Sequence, residues 1–203
     1  MALVCLALSV PAGAATIKVS VSDADGKPVE DSVVFVYETK EAVKPPEDPY
    51  LIDQVNKEFV PHVLPVVLGA KVRFPNKDDI HHEIYSFSPA KSFEQPLYKG
   101  EPAAPIVFEK PGVVKLGCNI HDWMSGVILV LPNKYFAKTD ADGKASVDIP
   151  EGAKSVELAV FHERLRGSVD DTKTKVKVSE AAASWKLSLK PEKKKKRSAV
   201  GYQ

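Results

Sequence analysis

Apolar and polar residues alternate at the start of the chain, where Ile17, Val19 and Val21 are separated by single polar residues. A period of two places such apolar side chains on one face of a β-strand. Short segments of this character recur along the chain, separated by turns rich in Gly, Pro and Asp, and almost none has the period of a helix. Many short strands with regular turn signals predict an all-β sandwich or barrel.

The pattern divides the chain into three sections. Apolar residues fill 33–37, and the proline-rich, charged segment 41–49 that follows indicates a boundary. A continuous apolar run at 126–131, typical of a buried strand, ends at Pro132. We therefore expect sections at 15–40, 41–131 and 132–190.

The two ends of the chain have a different character. Residues 2–10 are apolar but too few to span a bilayer, and the small residues that follow are typical of a signal peptidase site. This predicts that residues 1–14 are the remnant of a secretory signal and that the protein is periplasmic. Residues 191–203 are expected to be a disordered basic tail. Its run from Lys193 to Arg197 is either a solvated tail or a weak contact for anionic membrane surfaces.

Composition limits the class of protein and draws attention to one thiol. The chain has 203 residues, 44% hydrophobic and 27% charged, which is ordinary for a soluble globular protein, and its net charge of +1 gives no indication of nucleic acid binding. Its two cysteines are Cys5 and Cys118. If the signal is removed, Cys118 is left alone and cannot form an internal disulfide. A lone thiol in an oxidising compartment suggests a metal ligand.

Three candidate metal donors lie within seven residues. They are the thiolate of Cys118, the imidazole of His121 and the thioether of Met124. This combination suits copper that cycles between Cu(I) and Cu(II). A second imidazole is needed, and either His81 or His82 could supply it. The chemistry indicated is electron transfer at one copper ion, without a transformed substrate.

A repeated pentapeptide, Asp-Ala-Asp-Gly-Lys, occupies residues 23–27 and 140–144. Its acidic residues could suggest a calcium loop, but an EF-hand loop requires glycine at its sixth position. Pro28 and Ala145 stand there instead. Both copies therefore predict hairpin turns.

The middle section resembles the cupredoxins, the blue-copper fold of plastocyanin and amicyanin. The resemblance covers about residues 58–131 and rests on three motifs: Val72-x-Phe74-x-Asn76, Phe108-x-x-Pro111-Gly112 and Cys118-x-x-His121-x-x-Met124. It implies a Greek-key β-sandwich over 41–131 that binds one type 1 copper ion. It also implies a trigonal ligand set of His82, Cys118 and His121, with Met124 as the long axial ligand.

The same resemblance implies roles for three residues near these ligands. Asn76 is expected to tie the histidine loop to the ligand loop by hydrogen bonds. Glu83 stands where the family commonly has an asparagine that braces the cysteine loop, so its carboxylate either lowers the reduction potential or faces solvent. His81 stands where the family usually has proline and is the rival of His82. Only one of two neighbouring residues on a strand can point inward.

The outer sections resemble the transthyretin-like carboxypeptidase regulatory domain. The resemblance rests on Asp25-x-x-x-Val29, Thr139-Asp140-x-x-Gly143 and Pro150-x-Gly152. It implies that 15–40 and 132–190 form one split β-sandwich, with the cupredoxin domain inserted in it or packed beside it. The whole layout is similar to periplasmic bacterial proteins described as methylamine-utilisation or plastocyanin-like.

These patterns lead to one functional hypothesis and one alternative. The first is a periplasmic one-electron carrier that serves protein redox partners. The alternative is a copper-binding module for sequestration or delivery. A copper oxidase or reductase would need a second metal centre, for which only His62, His81 and His162 remain, so we expect no enzyme activity.

Overall fold

The computed structural model describes residues 15–39, 41, 43–102 and 104–192. The signal remnant predicted at 1–14 and the basic run from Lys193 to Arg197 lie outside these residues. In chain order the strands are β1 (Thr16–Asp23), β2 (Val33–Val36), β3 (Tyr50–Leu51), β4 (Asp53–Val55), β5 (Glu58–Val60), β6 (Val63–Val67), β7 (Lys71–Arg73), β8 (His82–Ser88), β9 (Lys91–Tyr98), β10 (Ile106–Val107), β11 (Gly112–Gly117), β12 (Ser125–Leu131), β13 (Phe136–Lys138), β14 (Lys144–Asp148), β15 (Ser155–Phe161), β16 (Thr174–Lys177) and β17 (Ala182–Leu187). The prediction of an all-β sandwich fold is confirmed.

The strands form two β-sandwiches. In the first sandwich, sheet β14-β1-β17 faces sheet β13-β2-β15-β16. In the second, sheet β6-β12-β11-β8-β9 faces sheet β10-β7-β3, and β4 and β5 form a separate hairpin. Strands β1 and β2 therefore share their sheets with strands that follow residue 135, while β3 to β12 lie between them in the chain. The domain boundaries at 41 and 131 stay a prediction.

A third apolar layer joins the two sandwiches. Strands β2 and β15 of the first sandwich pack against β6 and β12 of the second. In β2, Val34 and Val36 point into the first sandwich, while Val33 and Phe35 point to the joint. Strand β12 divides in the same way, because its side chains alternate between two buried faces. This explains the continuous apolar runs at 33–37 and 126–131, since a strand covered on both faces has no polar side.

The repeated pentapeptide forms the same turn twice. Asp23 Oδ1 accepts hydrogen bonds of 2.9 Å from the backbone N–H groups of Asp25 and Lys27. Asp140 Oδ1 accepts the equivalent pair, at 3.0 and 2.9 Å. These contacts are those of an Asx turn, which an aspartate side chain makes with its own backbone. Within the described ranges, no helix has the length and apolar character needed to cross a bilayer.

Candidate metal centre

The structure brings three of the predicted ligands together at one end of the second sandwich. His82 begins β8, Cys118 directly follows β11, and His121 lies in the loop that leads to β12. The Sγ atom of Cys118 lies 3.8 Å from Nδ1 of His82 and 3.8 Å from Nδ1 of His121. All three donor atoms lie within 4.8 Å of one another. His82 is fully buried and Cys118 nearly so, whereas His121 is half-buried.

These separations fit donors around one metal ion. With metal–nitrogen and metal–sulfur bonds of about 2.1 and 2.3 Å, as in zinc sites, donors at roughly 120° on the metal lie about 3.8 Å apart. At a tetrahedral angle of roughly 109° the same bonds give about 3.6 Å. The 3.8 Å between sulfur and each nitrogen is a separation of this size. A thiolate with two imidazoles is a donor set that suits copper.

Met124 ends the ligand loop. It is buried and belongs to the same apolar cluster as Cys118. Its backbone N–H donates a hydrogen bond of 2.9 Å to the carbonyl of His121, which closes the ligand loop into a tight turn. Ser125, the next residue, starts β12. The position suits a weak axial donor, and that role stays a prediction.

A close contact between β8 and β11 fixes the position of Cys118. Tyr85 of β8 pairs with Gly117, the last residue of β11. A Cβ atom at Gly117 would lie 2.6 Å from Cζ of Tyr85, so any larger residue would have to displace the tyrosine ring. Glycine therefore fits this position best, because the tyrosine ring covers the backbone next to the thiol.

The surroundings of Cys118 favour its thiolate form. Burial raises its pKa, but hydrogen bonds from His82 and from the backbone N–H groups of Ile120 and Glu83 outweigh burial and lower the pKa overall. Hydrogen bonds to the charged form favour that form. A thiolate is the form that binds a metal ion. Its free thiol also means that no disulfide competes for the sulfur.

The residue that orients His82 is Asp78, which we did not predict. Oδ2 of Asp78 lies 2.8 Å from Nε2 of His82. A carboxylate accepts, so Nε2 carries a proton, and Nδ1 is the nitrogen that faces the Cys118 sulfur. Burial lowers the pKa of His82, but the bonds to Cys118 and Asp78 outweigh it, so the pKa is raised overall. A carboxylate on the far nitrogen of a metal-binding histidine fixes the ring and its tautomer.

Asp78 is in turn held by the turn between β4 and β5. The backbone N–H groups of Asn56 and Lys57 donate to its two carboxylate oxygens, at 2.6 and 2.8 Å. Both turn residues have positive φ, 55° and 61°, which aims their N–H groups at the carboxylate. The pKa of Asp78 is lowered because the bonds from His82 and these two amides outweigh its partial burial. The only sequence signal was an acid four residues before the ligand.

His121 differs from His82 in its surroundings. Its pKa is lowered, first by burial and then by the positive charges of His82 and Lys57. It is therefore suited to act as a neutral imidazole donor. Its ring centroid lies 5.0 Å from that of His82 and 5.3 Å from that of Trp123. Trp123 is half-buried, so it packs on His121 and reaches the surface as well.

The remaining predicted residues have different outcomes. His81 is exposed, whereas His82 points to Cys118. The side chain of Asn76 donates to the carbonyls of Ile80 and Tyr98, at 2.9 and 3.0 Å. Both of its N–H donors are thus committed to the histidine loop and β9, and none of the bonds described for Asn76 reaches the ligand loop.

Glu83 contacts the ligand loop in two ways. Its backbone N–H donates to the Cys118 thiolate, and its carboxylate accepts a hydrogen bond of 3.4 Å from the Asn119 side chain. The carboxylate is thus turned to the surface of the loop, one residue beyond Cys118. Both contacts brace the ligand loop. In the cupredoxin resemblance, an asparagine at the position of Glu83 would have this role.

Comparisons with known proteins give matches among solved structures only. No protein-family model matches the chain, and no curated protein sequence matches it. A copper-containing nitrite reductase from Thermus scotoductus SA-01 is similar at 26% identity and a TM-score of 0.40, over 49% of this chain and 26% of that one. The chain thus spans about a quarter of that reductase.

Two smaller proteins match over their whole length. A purple cupredoxin from Nitrosopumilus maritimus has 27% identity and a TM-score of 0.36, over 41% of this chain and 100% of that one. A reduced Cu(I) form of an amicyanin variant has 18% identity and a TM-score of 0.39, over 50% of this chain and 100% of that one. TM-scores below 0.5 do not define a fold, so the metal centre of this chain rests on its own donor geometry.

Proposed function

We propose that the chain is a periplasmic type 1 copper protein that carries single electrons between partner proteins. The observation that carries this proposal is the 3.8 Å separation of the buried Cys118 sulfur from both imidazole nitrogens. Copper held there would supply one-electron transfer by cycling between Cu(I) and Cu(II).

The hydrogen bonds around the donors hold them without the metal. Two backbone N–H groups bind the Cys118 sulfur, Asp78 binds His82, and the Met124 N–H closes the ligand loop. Donors placed in this way need little movement when the charge of the metal changes. When the donors move little between the two oxidation states of the metal, electron transfer is fast. Such a site suits an electron carrier better than a protein that captures and releases the ion.

Burial differs on the two sides of the site in a way that suits a carrier. His82 is fully buried and keeps water away from the inner side, whereas His121 is half-buried next to Trp123. The His121 edge is therefore the part of the ligand set from which an electron would pass to a partner. We assign Met124 as the axial ligand, whose weak bond would tune the potential.

Other parts of the proposal concern the whole chain. As a carrier the protein would transform no substrate, and the exposed His81 lies outside the donor cluster found among the described residues. It is exported through its N-terminal signal. The first sandwich is a transthyretin-like domain, split by the copper domain of residues 41–131.

A titration of the purified protein with Cu(II), followed by absorption, tests the proposal. We expect one copper per chain and an intense visible band from thiolate-to-copper charge transfer. Cys118→Ser should remove the band, because a hydroxyl does not replace a soft thiolate. Met124→Leu should keep the band and raise the reduction potential. A colourless one-to-one complex of the wild-type protein would contradict an electron-carrier role.

A further inference from the structure

His62 lies where the two sandwiches and the ligand loop meet. It is placed between β5 and β6 of the second sandwich. Its backbone carbonyl accepts a hydrogen bond of 2.8 Å from the N–H of Val127 in β12. Gly126 leaves no gap there, since a Cβ atom at Gly126 would lie 3.1 Å from Cβ of Phe59 and 3.4 Å from the His62 carbonyl oxygen. The start of β12 is therefore pressed against the His62 turn.

The His62 side chain makes one contact to each side of this junction. Its Nε2 lies 2.9 Å from Oε2 of Glu163, which follows β15 in the first sandwich. The ring also interacts with the backbone carbonyl of Ser125, which helps to raise the pKa of His62. Ser125 is the first residue of β12 and directly follows Met124. Together with the hydrogen bond from Val127 to its backbone carbonyl, His62 thus connects the first sandwich to the start of β12, next to Met124.

The electrostatic surroundings favour a charged His62 ring in this position. Glu163 and Asp31 face it with negative charge, and Asp31 pairs with Lys138 at 2.6 Å. His162, which is buried nearby, is the other titratable group that feels the charge of His62. These charges raise the pKa of His62 and so favour the charged ring, whose Nε2 donates to Glu163.

We propose that His62 is a positioning residue through which the first sandwich sets the place of Met124 and so tunes the metal centre. This rests on the proposed function, because tuning has meaning only if Met124 is an axial ligand. An axial thioether binds weakly, so its distance depends on how the protein holds its backbone. Here that backbone is held by the Met124 N–H, which donates to His121, and by the Val127 N–H, which donates to the His62 carbonyl. The first sandwich thereby has a part in the electron-transfer site of the second.

The test follows the methionine methyl group by NMR in protein without metal. The chain has two methionines, Met1 and Met124, so methyl-labelled methionine gives a directly assignable signal. Glu163→Ala and His62→Gln should each shift the Met124 methyl resonance in the same direction. In the copper-loaded protein both should shift the reduction potential in a common direction, with copper affinity unchanged within a few-fold. Glu180→Gln, which removes an exposed carboxylate paired with Lys177, is the control and should change neither.

The outcomes separate the inference from the proposed function. A lower melting temperature with an unmoved Met124 resonance would overturn the inference, since His62 would then only join the sandwiches. A shifted resonance in protein that binds no copper would keep the structural link and refute the copper function. If Glu163→Ala does not fold, Glu163→Gln replaces it, because the amide keeps the shape while the charge is lost. An unmoved resonance in that variant and in His62→Gln also overturns the inference.

Discussion

Two histidine–carboxylate pairs in this protein have nearly the same geometry and different surroundings. His82 Nε2 lies 2.8 Å from Asp78, and His62 Nε2 lies 2.9 Å from Glu163. His82 is fully buried and directs Nδ1 at the sulfur of Cys118. The His62 side chain is 37% exposed, and its ring faces the carbonyl of Ser125 instead of a thiol. The two pairs thus differ in the group on the other side of the histidine ring. In the His82–Asp78 pair the ring faces a thiol and can bind a metal ion, whereas the His62–Glu163 pair joins two parts of the fold.

The largest expected difference between the pairs is in copper affinity. His82→Ala removes one of three strong donors and should lower the affinity by more than about 100-fold, beyond the loss typical of an outer-shell change. His62→Ala removes no donor and should leave the affinity within a few-fold. Competition with a chelator of known affinity measures both. His81→Ala is the matched control for its neighbour, and strong loss of copper in that variant would mean that the ligand is His81.

Removing the carboxylate charge of Asp78 should have the next largest effect. In Asp78→Asn, a neutral amide replaces the carboxylate that fixes the tautomer of His82. We therefore expect about 10- to 100-fold weaker copper binding. Asp79→Asn is the matched control, since Asp79 is fully exposed and pairs only with Lys99 among the contacts described. The same chelator competition applies. Equal affinities of the two variants would show that Asp78 does not act on His82.

A third prediction moves the thiol without touching either histidine. Gly117→Ala places a methyl group against the Tyr85 ring and should cost about 1–3 kcal/mol of the free energy of unfolding. It should also weaken the charge-transfer band, because Cys118 is the next residue. Denaturant unfolding and the absorption spectrum measure the two effects. Adding Tyr85→Ser should restore part of both, and no recovery in the double variant would place the strain elsewhere.

The smallest expected effect is the pH dependence of the His62–Glu163 pair. The pKa of His62 is raised, first by its hydrogen bond to Glu163, so its contribution is complete below about 6.5 and is lost as pH rises through the folded value. The pKa of Glu163 is lowered, first by the bond to His62, so its contribution is complete above about 4.5 and is lost as pH falls through the folded value. The pair should therefore stabilise the fold most between these two values.

The size of that stabilisation is modest because solvent screens it. The two side chains are 37% and 36% exposed, so we expect about 1 kcal/mol or less. Melting temperatures of wild-type protein and Glu163→Gln, compared from pH 4 to 9, measure it. The difference between the two proteins should be largest near pH 5 to 6. A difference that does not vary with pH would mean that the pair is not ionised.

The strands and the strong donors could be predicted from the sequence because both leave local patterns. Alternation places residues such as Ile17 and Val19, and the spacing of Cys118, His121 and Met124 lies within a single loop. The roles of Asp78 and His62 could not, since each depends on a contact from elsewhere in the chain. Asp78 needs the turn at Asn56 and Lys57, and His62 needs Glu163, 101 residues away.

Two apolar runs show the same limit. The continuous runs at 33–37 and 126–131 predicted buried strands, but not that β2 and β12 pack against each other between the sandwiches. Asn76 was expected at the ligand loop because of its place in a family motif. Its amide instead holds the loop that carries His82. The local sequence pattern thus predicts that a strand or loop is present. Which other part of the chain it contacts depends on the tertiary structure.

A redox titration of the copper-loaded wild-type protein tests the central claim most directly. The charge-transfer band is followed while the solution potential is changed in both directions. A preformed site that carries one electron should bleach and recover fully, with a slope of about 59 mV per tenfold change in the ratio of oxidised to reduced protein. The same copper should stay bound through repeated cycles. Release of copper on reduction, or a band that fails to return, would contradict the electron-carrier account and favour copper delivery.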